Sequence, residues 1–449
     1  MIMCNKQVVK NNYINFFMER TMRKIVFLII CISFILIFKP NRLLSQENEN
    51  NNPYSSFSQS MFAPDISFIL DFSTVYRNLE DEEYERLELP GLTHAHEHGH
   101  SHSHAGMNAH RGFNLNYGEV ALYASVDPYF ELFTTFHLGE GSFEIEEVFI
   151  NSTSFPFGFQ LKIGKFLSSF GRLNSQHAHF WDFSDQPLIY SALFGHHGII
   201  EKGVQISWLA PIDLYLLIGG EIFNGDNENS FGTNGFQDYN GIYKIEDSQY
   251  PDLNIGFIKT SIDVGKVTMV GGVSMVSGKS RINHDIDEES GDERHGVDAD
   301  TLVSGCDLTI KYFIDSYRYI SMQSEYLYRY MSGYHFKVEG TETDKKSLKK
   351  KQSGLYSQLI IKPFIEWRMG IRYDLLQINS VKIGGEDSNQ PDNLFRVSAM
   401  LDYNPTEFTR IRLQYNYDKS KYEEDEDKLN HEVIIQFNVT IGAHGAHPF

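Results

Sequence analysis

A chain of 449 residues is long enough for several soluble domains or one large barrel, and its formal net charge of −20 excludes nucleic acid as a partner, because phosphate binding needs basic patches. Of its three cysteines, Cys4 and Cys31 lie in or before a targeting segment. Cys306 is then left alone, which excludes an intramolecular disulfide and a Cys-ligated zinc site in the rest of the chain.

Residues 1–45 read as a leader. Met22-Arg23-Lys24 forms a short basic segment, and Ile25–Phe38 (IVFLIICISFILIF) is an apolar run of signal-peptide length, too short for a comfortable transmembrane helix. The start of translation is placed as readily at Met22 as at Met1, and an uncleaved anchor is the alternative to cleavage near Ser45-Gln46. The Asn/Ser-rich residues 46–63 read as a flexible periplasmic lead-in.

Residues 64–449 contain no second long apolar run, so the test is alternation. Phe408–Asp418 (FTRIRLQYNYD) puts Thr409, Ile411, Leu413, Tyr415 and Tyr417 on one face and Arg410, Arg412, Gln414, Asn416 and Asp418 on the other. Ile365–Asp374 alternates Ile365, Trp367, Met369, Ile371 and Tyr373 with Glu366, Arg368, Gly370, Arg372 and Asp374. Val433, Ile435, Phe437, Val439 and Ile441 repeat the pattern near the C-terminus, and Phe159, Leu161 and Ile163 do so earlier. A soluble sandwich also alternates, but long charged side chains in mid-strand suit a wet lumen with the apolar face turned to lipid. An aromatic content of 14% fits strands and interfacial girdles. Short turns near 126–128, 154–157, 210–212, 264–265, 314–315, 362–363 and 404–405 separate polar stretches at 78–111, 139–142, 166–198, 224–251, 278–300, 332–353, 377–391 and 419–429. Seven turns and eight loops predict an all-β, transmembrane antiparallel β-barrel of about 16 strands, with both ends periplasmic and an aromatic last residue, Phe449, that barrel assembly machinery would read. The pore-lining candidates on its polar faces and third loop are Lys162, Lys165, Arg172, Glu366, Arg368, Arg372, Arg410 and Arg412.

The 18 histidines are clustered. His94, His96, His98, His100, His102 and His104, followed by His110, fall in the first external loop behind the acidic run Glu80–Glu85. Neutral imidazoles in a His-x-His repeat offer several nitrogens to one ion without fixing its geometry. The tract reads either as capture of divalent metal, zinc favoured, or as a low-complexity polar loop. His177, His179, His196 and His197 sit in the third long loop, which in 16-stranded porins often folds into the lumen. They are candidate ligands on a transport path, or residues that satisfy local turns. No tightly bound cofactor is expected beyond a possible Zn²⁺ or other divalent cation. No GxSxG, P-loop or HExxH motif is present, so no enzyme is expected.

One set of residues resembles a largely uncharacterised family of Gram-negative outer-membrane, phosphate-selective-porin-like barrels, some of whose members are labelled zinc-regulated outer-membrane receptors. The residues are Asp127-Pro128-Tyr129, Glu146-Glu147, Leu161–Phe166, Phe170-Gly171-Arg172, Asn174, His177, His179, Trp181, Phe183, Asp185, Pro187, Ser207-Trp208-Leu209, Pro211, Phe223-Asn224-Gly225-Asp226 and the tail GAHGAHPF. The resemblance implies a porin-like barrel in outer-membrane lipid with a link to metal uptake, and residues 46–63 leave no room for the plug of an energy-coupled receptor. The expected function is passive uptake of divalent metal ions. The alternatives are an anion or small polar solute porin with an incidental His tract, and a surface binding or adhesion barrel. A homotrimer is expected by analogy with 16-stranded porins.

Overall fold

The computed structural model describes residues 64–92, 107–139, 142–227, 229–238, 241–248, 251–284, 294–339, 342–423 and 426–442. The leader, the lead-in, the His94–His104 tract and the C-terminal tail therefore lie outside the described residues.

Sixteen antiparallel strands run in chain order: β1 (Asp65–Arg77), β2 (Gly112–Ser125), β3 (Phe130–Gly139), β4 (Ser142–Ser152), β5 (Phe159–Leu167), β6 (Ile200–Leu209), β7 (Tyr215–Phe223), β8 (Leu253–Val264), β9 (Val267–His284), β10 (Arg294–Phe313), β11 (Tyr319–Glu339), β12 (Glu342–Lys362), β13 (Trp367–Ile383), β14 (Leu394–Thr406), β15 (Thr409–Glu423) and β16 (Glu426–Gly442). Each pairs with the next, and β1 closes the ring by pairing with β16, with Ile69 opposite Thr440. Closure leaves no free edge, which a strand protein in hydrocarbon requires.

The barrel is apolar outside and polar inside. Along β15, Ile411, Leu413 and Tyr415 are exposed, whereas Arg412 and Gln414 are fully buried. The same inversion holds on β13, where Ile371 is exposed and Arg372 and Asp374 are not. Exposed aromatics gather beside the periplasmic turns, among them Tyr129, Phe157, Tyr317, Phe364, Trp367 and Phe408, as a membrane interface favours. This is the surface of an outer-membrane barrel.

Two of the expected outer loops are mostly strand. β9 to β12 are 18 to 21 residues long, so the segments expected as loops at 278–300 and 332–353 largely continue the ladder. About ten residues suffice to cross a bilayer. The remainder buries only a few apolar side chains, Phe336 and Val338 against Phe236 and Leu348 against Ala299 and Met331, among many charged ones, and so reads as loop.

The lumen is filled by connecting segments. Residues 168–199, between β5 and β6, fold inward and carry the helix α2 (Leu188–Phe194), which follows the one-turn helix α1 (Asp81–Glu85) in the first loop. Pro187 precedes α2, and Gly195, at φ +76°, ends it. Leu188, Ile189, Leu193 and Phe194 are buried against Phe170, Phe223, Phe231 and Leu327. At about 1.5 to 3 kcal/mol for each side chain, this apolar plug is a major anchor of the segment. Leu89 and Leu92 of the first loop join the same cluster. Pro90 O accepts from Asn379 Nδ2 at 2.6 Å and Gly91 O from Gln352 Nε2 at 2.8 Å. Beyond the tract, the Asn108 side chain donates to Ser184 O at 2.9 Å. Leu92 and Asn108, which flank the undescribed stretch, are thus buried, where an outward-pointing loop was expected.

Leu413 is near mid-strand on the outer face. Leu413→Arg is expected to lower the unfolding free energy in lipid vesicles by about 2 to 4 kcal/mol, read by denaturant titration. An unchanged value would mean that this face does not meet hydrocarbon.

Candidate metal centre

The site begins with a flaw in a ladder. On β3 and β4, Thr135 faces Glu147 and Phe136 faces Ile145, so Glu146 has no partner. This bulge re-aims one side chain, and Glu146 and Glu147 both point into the lumen although they are adjacent in a strand. On β2, Glu119 lies directly opposite His137 of β3. The infolded segment makes a single 3-10 turn at Ala178–Phe180, and His177 and His179 flank Ala178 with their rings stacked 5.6 Å apart.

These groups converge. His177 Nδ1 is 3.1 Å from Glu146 Oε2 and 3.8 Å from Glu119 Oε2, and its Nε2 is 2.7 Å from Glu147 Oε2. His137 Nε2 is 2.8 Å from Glu146 Oε2 and 3.2 Å from Glu119 Oε2. His179 Nδ1 lies 3.5 Å from Glu119 Oε2. One ligand atom each from Glu119, Glu146 and His177 lies within 4.8 Å of the others. Glu119 is 1% exposed, and its Oε1 has no hydrogen-bond partner. At that separation two carboxylates repel by about 3 to 4 kcal/mol at an effective dielectric of 20. A cation between them removes that cost. Mixed imidazole and carboxylate donors suit zinc and its first-row neighbours better than magnesium or calcium, which prefer all-oxygen shells. His177 belongs to a connecting segment that does not itself span the bilayer. Burial works against its imidazolium, but Glu146 and Glu147 outweigh that and raise its pKa well above the ordinary histidine value. A metal entering here must displace that proton.

The other side of the infolded segment is strapped to an arginine wall. Asp182 pairs with Arg368 of β13 at 3.0 Å, and Asp185 with Arg372 of β13 at 2.8 Å and Arg396 of β14 at 3.0 Å. Arg412 of β15 binds Asp402 of β14 at 2.7 Å and donates to Trp181 O at 3.2 Å. Buried Glu325 of β11 accepts from Leu173 N at 2.9 Å, Arg172 N at 2.9 Å and Tyr190 Oη at 2.7 Å. Gly171, at φ +61°, makes that turn possible, because a Cβ would meet Tyr190 Oη and Glu325.

Of the residues proposed from the sequence, His177 and His179 enter the cluster. His196 and His197 lie in the exposed turn after α2 and do not join it. His110 is exposed, 3.9 Å from Glu85. The six tract histidines His94–His104 lie outside the described residues. Arg368, Arg372, Arg410 and Arg412 face the lumen, as does Lys162, whose ammonium lies over the Phe149 and Phe166 rings, and Arg172 rides on the infolded segment. Two expectations fail. Lys165 stands opposite Val148 and Lys202, on the outer face with its amine on Ile145 O at 2.7 Å, because residues three apart in a strand cannot share a face. Glu366 is exposed in the turn before β13, its carbonyl accepting from Asn404 N at 2.7 Å. Glu119 and His137 were not found from sequence, and nothing in their spacing links them.

Asp185 sets a pH limit on the strap. Burial raises its pKa, but Arg372 and Arg396 outweigh burial and hold it at about 2. A carboxylate depressed in the folded state stabilises above its unfolded pKa, about 4, and that contribution is lost as pH falls toward 2. Asp185→Asn is expected to cost roughly 3 kcal/mol at pH 7. Its effect in denaturant titrations should vanish at pH 2, and an undiminished difference there would show that the pairs do not hold the segment.

No protein-family profile matches the chain. It is 50% identical over 398 residues, 88% of its length and 82% of the relative's, to an uncharacterized protein of Aquifex aeolicus (strain VF5). Similar solved structures include OprB of Pseudomonas putida (TM-score 0.49, 10% identity, 85% of this chain and 95% of that one). Others are OmpT of Vibrio cholerae in trimer form (0.48, 12%, 84% and 99%) and the anion-selective porin of Comamonas acidovorans (0.48, 8%, 84% and 99%).

Proposed function

The chain belongs to the family of the Aquifex aeolicus protein, and we propose that it is a porin-like outer-membrane barrel that admits divalent first-row metal ions, zinc first among them. The observation that carries this reading is the lumenal cluster of Glu119, Glu146 and His177, with Glu147, His137 and His179 around it. His177 and His179 belong to the segment that fills the lumen, while the carboxylates belong to the wall. An ion bound there sits between the two. For a hard cation, water and all-oxygen sites would outcompete this set, and an ion of borderline softness would be held by the mixed donors. The His94–His104 tract would supply a second, less selective set of nitrogens. The reading as a general anion porin is weakened because Arg368, Arg372, Arg396 and Arg412 are matched by four aspartates, Asp182, Asp185, Asp374 and Asp402.

The cluster is tested apart from the tract in a variant lacking residues 93–106. Zn²⁺ titrated calorimetrically into that purified barrel is expected to bind saturably, and His177→Ala and Glu146→Gln are each expected to weaken binding at least about tenfold, as loss of one good ligand does. Zinc entry into liposomes carrying an internal indicator should fall in parallel. Absence of saturable binding in the tract-deleted barrel, or indifference to both substitutions, would sink the proposal.

A further inference from the structure

Beside the cation cluster lies a row of four lumen-facing residues on four adjacent strands. Arg410 of β15 is directly opposite Asn438 of β16, Asn438 is opposite Asp71 of β1, and Asp71 is opposite Tyr117 of β2. All four are buried. Three strand spacings separate the ends of the row, about 14 Å between backbones. The row runs long, short, short, long, so Arg410 and Tyr117 rise on either side of two short residues.

The short residues are fully engaged with each other and their neighbours. Asp71 accepts from Asn116 Nδ2 at 2.6 Å, Gln436 Nε2 at 2.8 Å and Asn438 Nδ2 at 3.1 Å. The long ones are not. Arg410 Nε and Nη2, the Tyr117 hydroxyl and Arg412 Nη1 are all buried without a hydrogen-bond partner. Arg368, Arg372, Arg396 and Arg412 each pair with an aspartate, and Arg410 makes no ion pair among the described residues. The charges that act on it are those of Arg412, Asp402, Arg368 and Asp71, and Arg410 in turn acts on the Tyr117 hydroxyl.

A buried guanidinium needs either a carboxylate or something equivalent. The two idle nitrogens of Arg410 share one edge of the guanidinium, which is the edge that grips a carboxylate or phosphate through two parallel hydrogen bonds. The other idle groups nearby, a hydroxyl and an arginine N–H, are also donors. We propose that Arg410, assisted by the Tyr117 hydroxyl and Arg412 Nη1, forms a lumenal subsite for a small oxyanion of the carboxylate or phosphate class. Tyr117 also connects the two halves of the lumen: its ring stacks on His137 at 4.9 Å, and His137 contacts Glu119 and Glu146. The oxyanion therefore sits between the arginine wall and the cation cluster, so a metal ion and its counter-ion can be accommodated together. The subsite itself does not depend on the metal reading, because its donors are complete without the cluster.

The test is calorimetric titration of inorganic phosphate, and separately of acetate, into the purified full chain with no metal added and chloride as the background anion. Saturable binding is expected, weakened at least tenfold in Arg410→Gln and partly restored in Arg410→Lys. Tyr117→Phe should weaken it severalfold, and Lys162→Gln, which removes a lumenal charge outside the row, should leave it within twofold. No saturable binding, or equal losses in Arg410→Gln and Lys162→Gln, would overturn the subsite. Preference between phosphate and acetate identifies the anion class. Should Arg410→Gln lose the compact, heat-modifiable form on gels, crystals of the unsubstituted protein grown with selenate decide: an anomalous peak on the Nε and Nη2 edge of Arg410 supports the proposal, and waters alone there refute it.

Discussion

The infolded segment 168–199 is held by opposite charges on its two ends of contact, and the organisation of the lumen depends on that arrangement. Within nine residues, His177-Ala-His179-Phe-Trp-Asp182-Phe-Ser-Asp185, it presents imidazoles first and carboxylates second. The imidazoles meet Glu119, Glu146 and Glu147 on β2 and β4. The carboxylates meet Arg368, Arg372 and Arg396 on β13 and β14. A segment shifted by one contact would put imidazolium against guanidinium, or leave several buried carboxylates facing one another. The pairing thus fixes the register of the segment in the barrel, and α2 then docks its apolar face where the plug closes.

The same charges explain why the barrel interior can hold so many of them. Buried ions are tolerated when each has a partner of opposite sign and its remaining hydrogen-bonding positions are filled. Asp402 takes both Arg368 and Arg412, and Asp374 takes both Arg372 and Arg396. The bulge at Glu146 is the matching device on the opposite wall. It crowds an additional carboxylate into the lumen where the imidazoles arrive, which creates a site richer in negative charge than a regular ladder would provide.

Much of this was legible in the residues, and the failures have definite causes. The period of two in FTRIRLQYNYD is plain because one face meets lipid and the other a polar lumen, so β15 falls almost where the pattern puts it. The count of 16 strands follows from turns that remain short at the periplasmic side. The long outer ends of β9 to β12 were hidden because their few buried apolar side chains, such as Phe336, Val338 and Leu348, are scattered among charged residues without a continuous apolar face. His177 and His179 are recognisable by type. Glu119 and His137 are ordinary alternating residues, and only the pairing of β2 with β3 brings them together. Glu146 did leave a trace: in FEIEEVFI two adjacent acids interrupt the alternation, which is how a bulge looks in a sequence. Lys165 could have been assigned to the outer face by the same period that placed Lys162 inside.

Solvent reaches part of each wall. On the arginine side, the Arg372, Arg412, Asp374 and Asp402 side chains are at most 1% exposed, whereas Arg368 keeps 18%, Asp185 17% and Asp182 26% of their surface accessible. On the carboxylate side, the His137 side chain keeps 26% of its surface accessible, Glu146 17% and His177 12%. Solvent therefore reaches the carboxylate and imidazole cluster on one wall and the Arg368–Asp182 pair on the other. The carboxylate-rich cluster suits a cation where water reaches it, and the buried donors left unpaired at Arg410 and Tyr117 suit an anion alongside.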